Sequence, residues 1–188
     1  MTDPVGAWLL RHGLTPNVVT VVGTVGSVVS ALWFFPRGHL FYGTVVVAVF
    51  LLFDLLDGAV ARADGHPTNF GGVLDASCDR IVDGALFGSL VWWALVFDDH
   101  HVRGMGLLVC MVAAQVISYI KARAEANGLG ADGGLAERAE RFVVVLVGTG
   151  LHGLGVPYVL DVAIWALVLI SAITIAQRFL AVYAVDQG

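Results

Sequence analysis

The chain has 188 residues, 58% of them hydrophobic and only 13% charged, with a formal net charge of -5 at pH 7. Such a composition excludes an ordinary soluble domain and describes a polytopic membrane protein, for which no nucleic-acid partner is expected. The only two cysteines, Cys78 and Cys110, lie inside apolar segments, which excludes a disulfide framework and any zinc-finger spacing.

The length accommodates about six spans of roughly 20 residues with short connections. The expected fold is therefore all-α, with six transmembrane helices in one membrane domain covering residues 1–188. Residues 1–14 are expected to be either a short amphipathic segment at the membrane interface, with Val5, Trp8, Leu9 and Leu10 apolar and Arg11 and His12 polar, or an unstructured leader. No cleavable signal is expected, because the first long apolar run lacks a small-residue cleavage site. Thr15-Pro16-Asn17 opens a helix, and the first span runs from about Val18 to Phe35. Its Gly23, Gly26, Ser27 and Ser30 permit close helix packing.

Pro36-Arg37-Gly38 is a turn, after which the second span runs from about Leu40 to Arg62. It carries Asp54 and Asp57 near its end. A polar loop, Asp64 to Phe70, leads to the third span, Gly72 to about Phe97, which carries Asp75, Asp79 and Asp83. Carboxylates in such apolar segments are costly, roughly 2.5 to 3.5 kcal/mol each near a span centre, so something must neutralise them. Spacings of three and four residues bring Asp54 with Asp57, and Asp75 with Asp79, onto one helix face each. Two facing carboxylate pairs without Cys or His suit hard divalent cations such as Mg2+ or Mn2+. Gly58 and Ala61 leave room beside them for a bulky ligand, and Arg62 is placed to bind a phosphate through two hydrogen bonds. Thr68 and Asn69 are in reach of a base or sugar. Helix-end residues snorkelling to water would account for one charge at a time but not for this spacing. Asp83 continues the same face by one turn, either as an acceptor that orients Arg62 or Arg80 or as a further ligand.

Asp98 to Arg103 is a polar loop, and the fourth span runs from about Gly104 to Lys121. Ser118 to Lys121 has the S-x-x-K spacing of some acyl-serine hydrolases but lacks their partner motifs. Lys121 to Arg141 is the most charged stretch and contains a glycine-rich loop. The fifth span covers about Phe142 to Leu151, and the sixth runs from near Pro157 to about Val185. Gly148 to Gly153 matches G-x-G-x-x-G, yet with no preceding strand it reads as a helix end. With a cytoplasmic amino terminus and six spans, Arg11, Arg62, Arg80, Lys121, Arg123, Arg138, Arg141 and Arg178 fall toward the cytoplasm, leaving Arg37 and Arg103 outside. Lys121, Arg141 and Arg178 form a second basic group suited to an acceptor that already carries a phosphate.

Residues 54–79 together read D-x2-D-G-x2-A-R-x8-G-x3-D-x3-D with every specified position filled. This pattern resembles the signature of the CDP-alcohol phosphatidyltransferases, integral membrane enzymes of phospholipid synthesis. The resemblance implies two bound divalent metals, Mg2+ or Mn2+, on Asp54, Asp57, Asp75 and Asp79. It further implies a CDP-diacylglycerol donor bound by Asp57, Gly58, Ala61, Arg62, Thr68, Gly71 and Gly72, and transfer of its phosphatidyl group to an alcohol with release of CMP. In that family the carboxylate at Asp79 is the base; the sequence alone leaves base and ligand roles open.

The run Gln115 to Ala126, with Glu137-Arg138-Ala139-Glu140-Arg141, is similar to the actinobacterial phosphatidylinositol phosphate synthases of this family. It implies inositol 1-phosphate as acceptor, held by Lys121, Arg141 and Arg178. Ala139 departs from a proline frequent there. Glycerol 3-phosphate, the acceptor of phosphatidylglycerophosphate synthases, is the alternative within the family. Outside it, buried carboxylates mark ion or proton paths in transporters, but those spread polar groups through several spans. The family also implies a homodimer, which the small residues Gly84 and Gly88 would allow. The expected setting is a multi-pass protein of the cell membrane with the active site toward the cytoplasm.

Overall fold

The structure, a computed structural model, describes residues 15–64, 68–130, 134 and 137–186, with residues 53–64 and 186 described by backbone alone. The N-terminal segment 1–14 and His66 lie outside the described residues. Among the described residues there are six α-helices and no strand, as the uniform hydropathy predicts.

Helix α1 (Pro16–Phe34) starts on Pro16, whose missing N–H falls where no intrahelical partner exists. Its buried face consists of small and hydroxyl residues such as Gly23, Thr24, Ser27, Ser30 and Ala31, while Val25, Val29, Leu32 and Trp33 face outward. A soluble helix does the opposite. Lipid outside and close backbone contact inside explain the inversion. A single 3-10 turn, Phe35–Arg37, ends on Gly38 in the left-handed region at φ 77. A side chain at Gly38 would meet the Phe97 ring at 2.7 Å as well, so glycine is required twice over.

Helix α2 spans Leu40–Asp64 and α3 spans Asn69–Trp92. The α3 N-terminus is capped by Thr68, whose hydroxyl accepts the Gly71 N–H at 3.0 Å. A π turn, Trp93–Phe97, extends α3 before α4 (His101–Ala126). Helix α5 (Arg138–Gly153) and helix α6 (Val159–Asp186) complete the chain. The G-x-G-x-x-G run closes α5, in line with its reading as a helix end.

The six helices form a closed ring in which α1 packs on α2 and α3, α3 on α4, α4 on α6, α6 on α5, and α5 back on α2. Buried positions recur every three or four residues, as Val82, Leu86 and Leu90 on α3, Leu107, Cys110 and Ala114 on α4, and Leu160, Ile164 and Leu167 on α6. Small residues mark the closest crossings. A Cβ on Gly148 would lie 2.7 Å from that of Ala163, and one on Gly26 would run into the Phe50 ring. At one end of the ring, Arg103 bridges α4 to α6 through Asp161 at 2.9 and 2.8 Å, and also pairs with Asp98.

Among the described residues, four helical stretches are long and apolar enough to cross a bilayer: Pro16–Arg37, Asn69–Phe97, His101–Ala126 and Val159–Val185. Helix α5 has 16 residues, about 24 Å at 1.5 Å per residue, which is short of a roughly 30 Å hydrocarbon core. In α2 the described apolar stretch is Leu40–Leu52.

Candidate active site

The buried face of α3 changes character toward its start. Beside Val82, one turn before Leu86, it carries Asp83, which is wholly buried, then Asp79 one turn earlier. A buried carboxylate needs paired cations and hydrogen-bond donors, and three arginines from two helices supply them. Arg80 Nη1 lies 3.2 Å from Asp83 Oδ2, Arg138 Nε 3.4 Å from Asp83 Oδ1, and Arg141 Nη2 3.9 Å from Asp83 Oδ2. Arg138 also reaches Asp79, Nη1 to Oδ1, at 2.7 Å. Arg80 is further fixed by α4: it donates to the Ser118 hydroxyl, while Gln115 donates to the Arg80 carbonyl at 3.2 Å.

Beside this network lies a cavity of about 730 Å3 at the α3, α4, α5 and α6 ends. Asp79, Arg80, Lys121, Arg138, Arg141 and Arg178 all border it, with Gln115, Ser118 and Tyr119 from α4. Arg178 ends the buried stripe of α6 that passes through Ser171 and Thr174, and it donates to the Ile117 carbonyl at 2.6 Å. Lys121 stands more open, 4.0 Å from Glu125 one turn along. The three cations grouped by sequence as an acceptor site, Lys121, Arg141 and Arg178, thus meet in one cavity with Asp79.

The remaining sequence-predicted residues fall as follows. Asp75 is exposed one turn before Asp79 on the same helix, and its carboxylate does not border the cavity. Gly71 stands close to the α1 start, where a Cβ would meet Thr68 Oγ1 at 3.0 Å and Asn17 Oδ1 at 3.3 Å. At Gly72 a Cβ would meet open space. Asp54, Asp57, Gly58, Ala61 and Arg62 are on α2, and their side chains lie outside the described residues. Asp75 and Asp79 present oxygen donors only, one turn apart, which fits a hard divalent cation; among the described residues no third such donor joins them.

Sequence reading missed Arg138 and Ser118 as site residues. Arg138 carried a signal, since it opens the charged start of α5, but its distance to Asp79 depends on a helix pairing that the sequence does not encode locally. Asp83 was read as an acceptor for Arg62 or Arg80 or as a further ligand; the described geometry pairs it with Arg80, Arg138 and Arg141, and the Arg62 side chain lies outside the described residues.

Residues 13–183 match the CDP-alcohol phosphatidyltransferase family. Among its relatives, the phosphatidylinositol phosphate synthase of Mycobacteroides abscessus is 53% identical over 97% of this chain and 83% of its own length. That of Streptomyces avermitilis is 42% identical, over 95% of this chain and 76% of its own. The crystal structure of the Mycobacterium tuberculosis phosphatidylinositol phosphate synthase with CDP-DAG bound superposes with a TM-score of 0.92 at 50% identity, covering 97% of this chain and 94% of that one. The same enzyme in complex with manganese and citrate gives 0.91, again at 50% identity, over 97% and 89%. The chain belongs to the CDP-alcohol phosphatidyltransferase family, and is a membrane enzyme of phospholipid synthesis.

Proposed function

We propose that the chain transfers the phosphatidyl group of CDP-diacylglycerol to inositol 1-phosphate, releasing CMP and forming phosphatidylinositol phosphate. The observation that carries the choice of acceptor is the cavity of about 730 Å3 in which Asp79 meets Lys121, Arg141 and Arg178. A phosphomonoester matches the charge and hydrogen-bond geometry of these three cations, which a phosphate-free alcohol does not. Relatives at 42–53% identity are phosphatidylinositol phosphate synthases.

Asp79 accepts the proton of the attacking inositol hydroxyl. The new bond forms between that oxygen and the phosphorus carrying diacylglycerol, and the pyrophosphate bond to CMP breaks, its electrons leaving on CMP. Arg141 and Arg178, both nearly buried, hold the acceptor phosphate so that the hydroxyl is presented to Asp79. Gly72, Gly71 and Thr68, with Asp57, Gly58, Ala61 and Arg62 of α2, border the CDP-diacylglycerol head group, and its acyl chains remain in lipid. Asp54, Asp57, Asp75 and Asp79 would hold two Mg2+ ions, or Mn2+, and the bound ions would supply charge neutralisation at the pyrophosphate.

The protein acts as a single domain of six spans in the cell membrane, with α2 and α5 joining the four helices that are both long and apolar enough to cross. Its active site faces the cytoplasm, consistent with the basic residues gathered at that end, and it works as a homodimer.

The test is CMP release by the purified protein with CDP-diacylglycerol and Mg2+, comparing inositol 1-phosphate, free inositol, glycerol 3-phosphate and serine. The reading requires turnover with inositol 1-phosphate well above the others. Preference for glycerol 3-phosphate would overturn the acceptor and leave the reaction class standing.

A further inference from the structure

Past the bond from Arg178 to the Ile117 carbonyl, α4 and α6 leave between them a second hollow, a groove of about 230 Å3. Ile120 and Ala124, both buried, form its floor, and the large, exposed Tyr119 and Phe179 flank it. The end of α4 closes it. Gly128, at φ 73, lets the chain turn back, so that the Leu129 N–H donates to the Ala124 carbonyl at 2.9 Å and the Gly128 N–H to the Glu125 carbonyl at 3.0 Å. This pair of bonds folds the residue after the glycine onto the last turn of the helix, and Leu129 accordingly lines the groove. Among the described residues Arg123 is the one charged side chain on it, and no described carboxylate pairs with Arg123. Glu125, two residues on, projects from another face of the helix and pairs with Lys121.

We propose that this groove binds an anionic phospholipid of the surrounding bilayer, with one acyl chain lying between Tyr119 and Phe179 and the phosphate paired with Arg123. The protein is embedded in lipid, and an apolar groove open to the outside takes a hydrocarbon chain in preference to water. Charge then selects among lipids. A guanidinium binds phosphate oxygens through two parallel N–H groups, and an anionic head group carries no ammonium of its own to compete for them. One arginine near the membrane surface favours an anionic lipid about fivefold.

Among the described residues none of α2 or α3 lines the groove, so it is separate from the region given above to the CDP-diacylglycerol head group. It does share a wall with the acceptor cavity, since Val116 and Tyr119 border both. A chain seated in the groove packs on the outer side of that wall. The lipid is thus a bound component of the protein at this position, whichever acceptor the enzyme uses.

The test uses the full chain, delipidated in neutral detergent, with phosphatidylglycerol and phosphatidylcholine of matched acyl chains as probes. Native mass spectrometry counts the lipids retained. The unmodified protein should keep one phosphatidylglycerol per chain, about fivefold more often than phosphatidylcholine. Arg123→Gln should retain the two lipids alike, and Arg123→Lys should keep part of the preference. Val182→Trp, which fills the groove from the α6 side, should lose the bound lipid although Arg123 is still present. Thermal unfolding of each variant separates loss of the site from loss of the fold. Equal retention of the two lipids by the unmodified protein would overturn the proposal, as would a preference that survives Arg123→Gln. A lipid still held by Val182→Trp would place the acyl chain elsewhere and overturn the groove as its site. A groove covered by a second copy of the chain would retain no lipid and would lose dimer in Val182→Trp, which also overturns it.

Discussion

Arg178, near the end of α6, donates to the backbone carbonyl of Ile117 in α4 at 2.6 Å. The bond fixes a nearly buried guanidinium at the cavity wall, where a lysine would present one point charge in place of a planar fork. Arg178→Lys should raise the KM for inositol 1-phosphate by about tenfold, on the order of one lost charge-assisted hydrogen bond. The KM for CDP-diacylglycerol should stay unchanged. Steady-state kinetics with each substrate varied in turn checks the split.

Asp83 pairs with three arginines from a fully buried position. Asp83→Asn keeps the shape and removes the charge, leaving the cations to repel one another. Breaking a buried pair of this kind costs about 3 kcal/mol. The variant should unfold at lower denaturant in mixed micelles and, where folded, show a higher acceptor KM. Unchanged stability and kinetics would contradict the place given to Asp83.

Arg103 ties α4 to α6 at the other end of the ring, through Asp161. Because the site borders on residues far along the same helices, Arg103→Ala should lower stability by about 3 kcal/mol. Activity per folded molecule should stay near that of the unmodified protein. Unfolding in mixed micelles alongside CMP release checks both.

The crossing of α5 on α6 has no space at Gly148, whose Cβ would lie 2.7 Å from that of Ala163. Gly148→Ala should separate the helices and cost roughly 1–3 kcal/mol. Gly130→Ala, where a Cβ meets nothing within 4 Å, should be close to silent. Thermal unfolding of the two variants side by side makes the comparison.

Much of this arrangement is legible in the chain because membrane physics makes charges conspicuous. Asp79, Lys121, Arg141 and Arg178 stand out as charges in or beside apolar runs, and the structure gathers them. The helix order was equally plain, with ends shifted by a few residues; α4 extends to Ala126, past the Lys121 at which the span was expected to end. What stayed hidden depends on which helices touch. The pairing of Asp83 with Arg138 joins residues 55 apart, and nothing local in either sequence announces the other. The short α5 was likewise read as a span from its apolar run, whereas its 16 residues make about 24 Å, so its depth depends on neighbours and not on its own hydropathy.

Removal of divalent cations should abolish turnover without unfolding the protein, since the apolar packing of the ring and the arginine pairs of Asp83 and Asp161 do not involve the cations. CMP release should stop in excess EDTA and return on adding Mg2+ or Mn2+, with unchanged thermal unfolding. Loss of activity that Mg2+ does not restore would contradict the assignment of Asp75 and Asp79 as ligands.

The most direct measurement is mass spectrometry of the lipid formed from CDP-diacylglycerol and inositol 1-phosphate, with Asp79→Asn as control. A phosphatidylinositol phosphate should accumulate in step with CMP and be absent from the control. CMP released without that lipid, or the same lipid formed by Asp79→Asn, would contradict the proposed transfer.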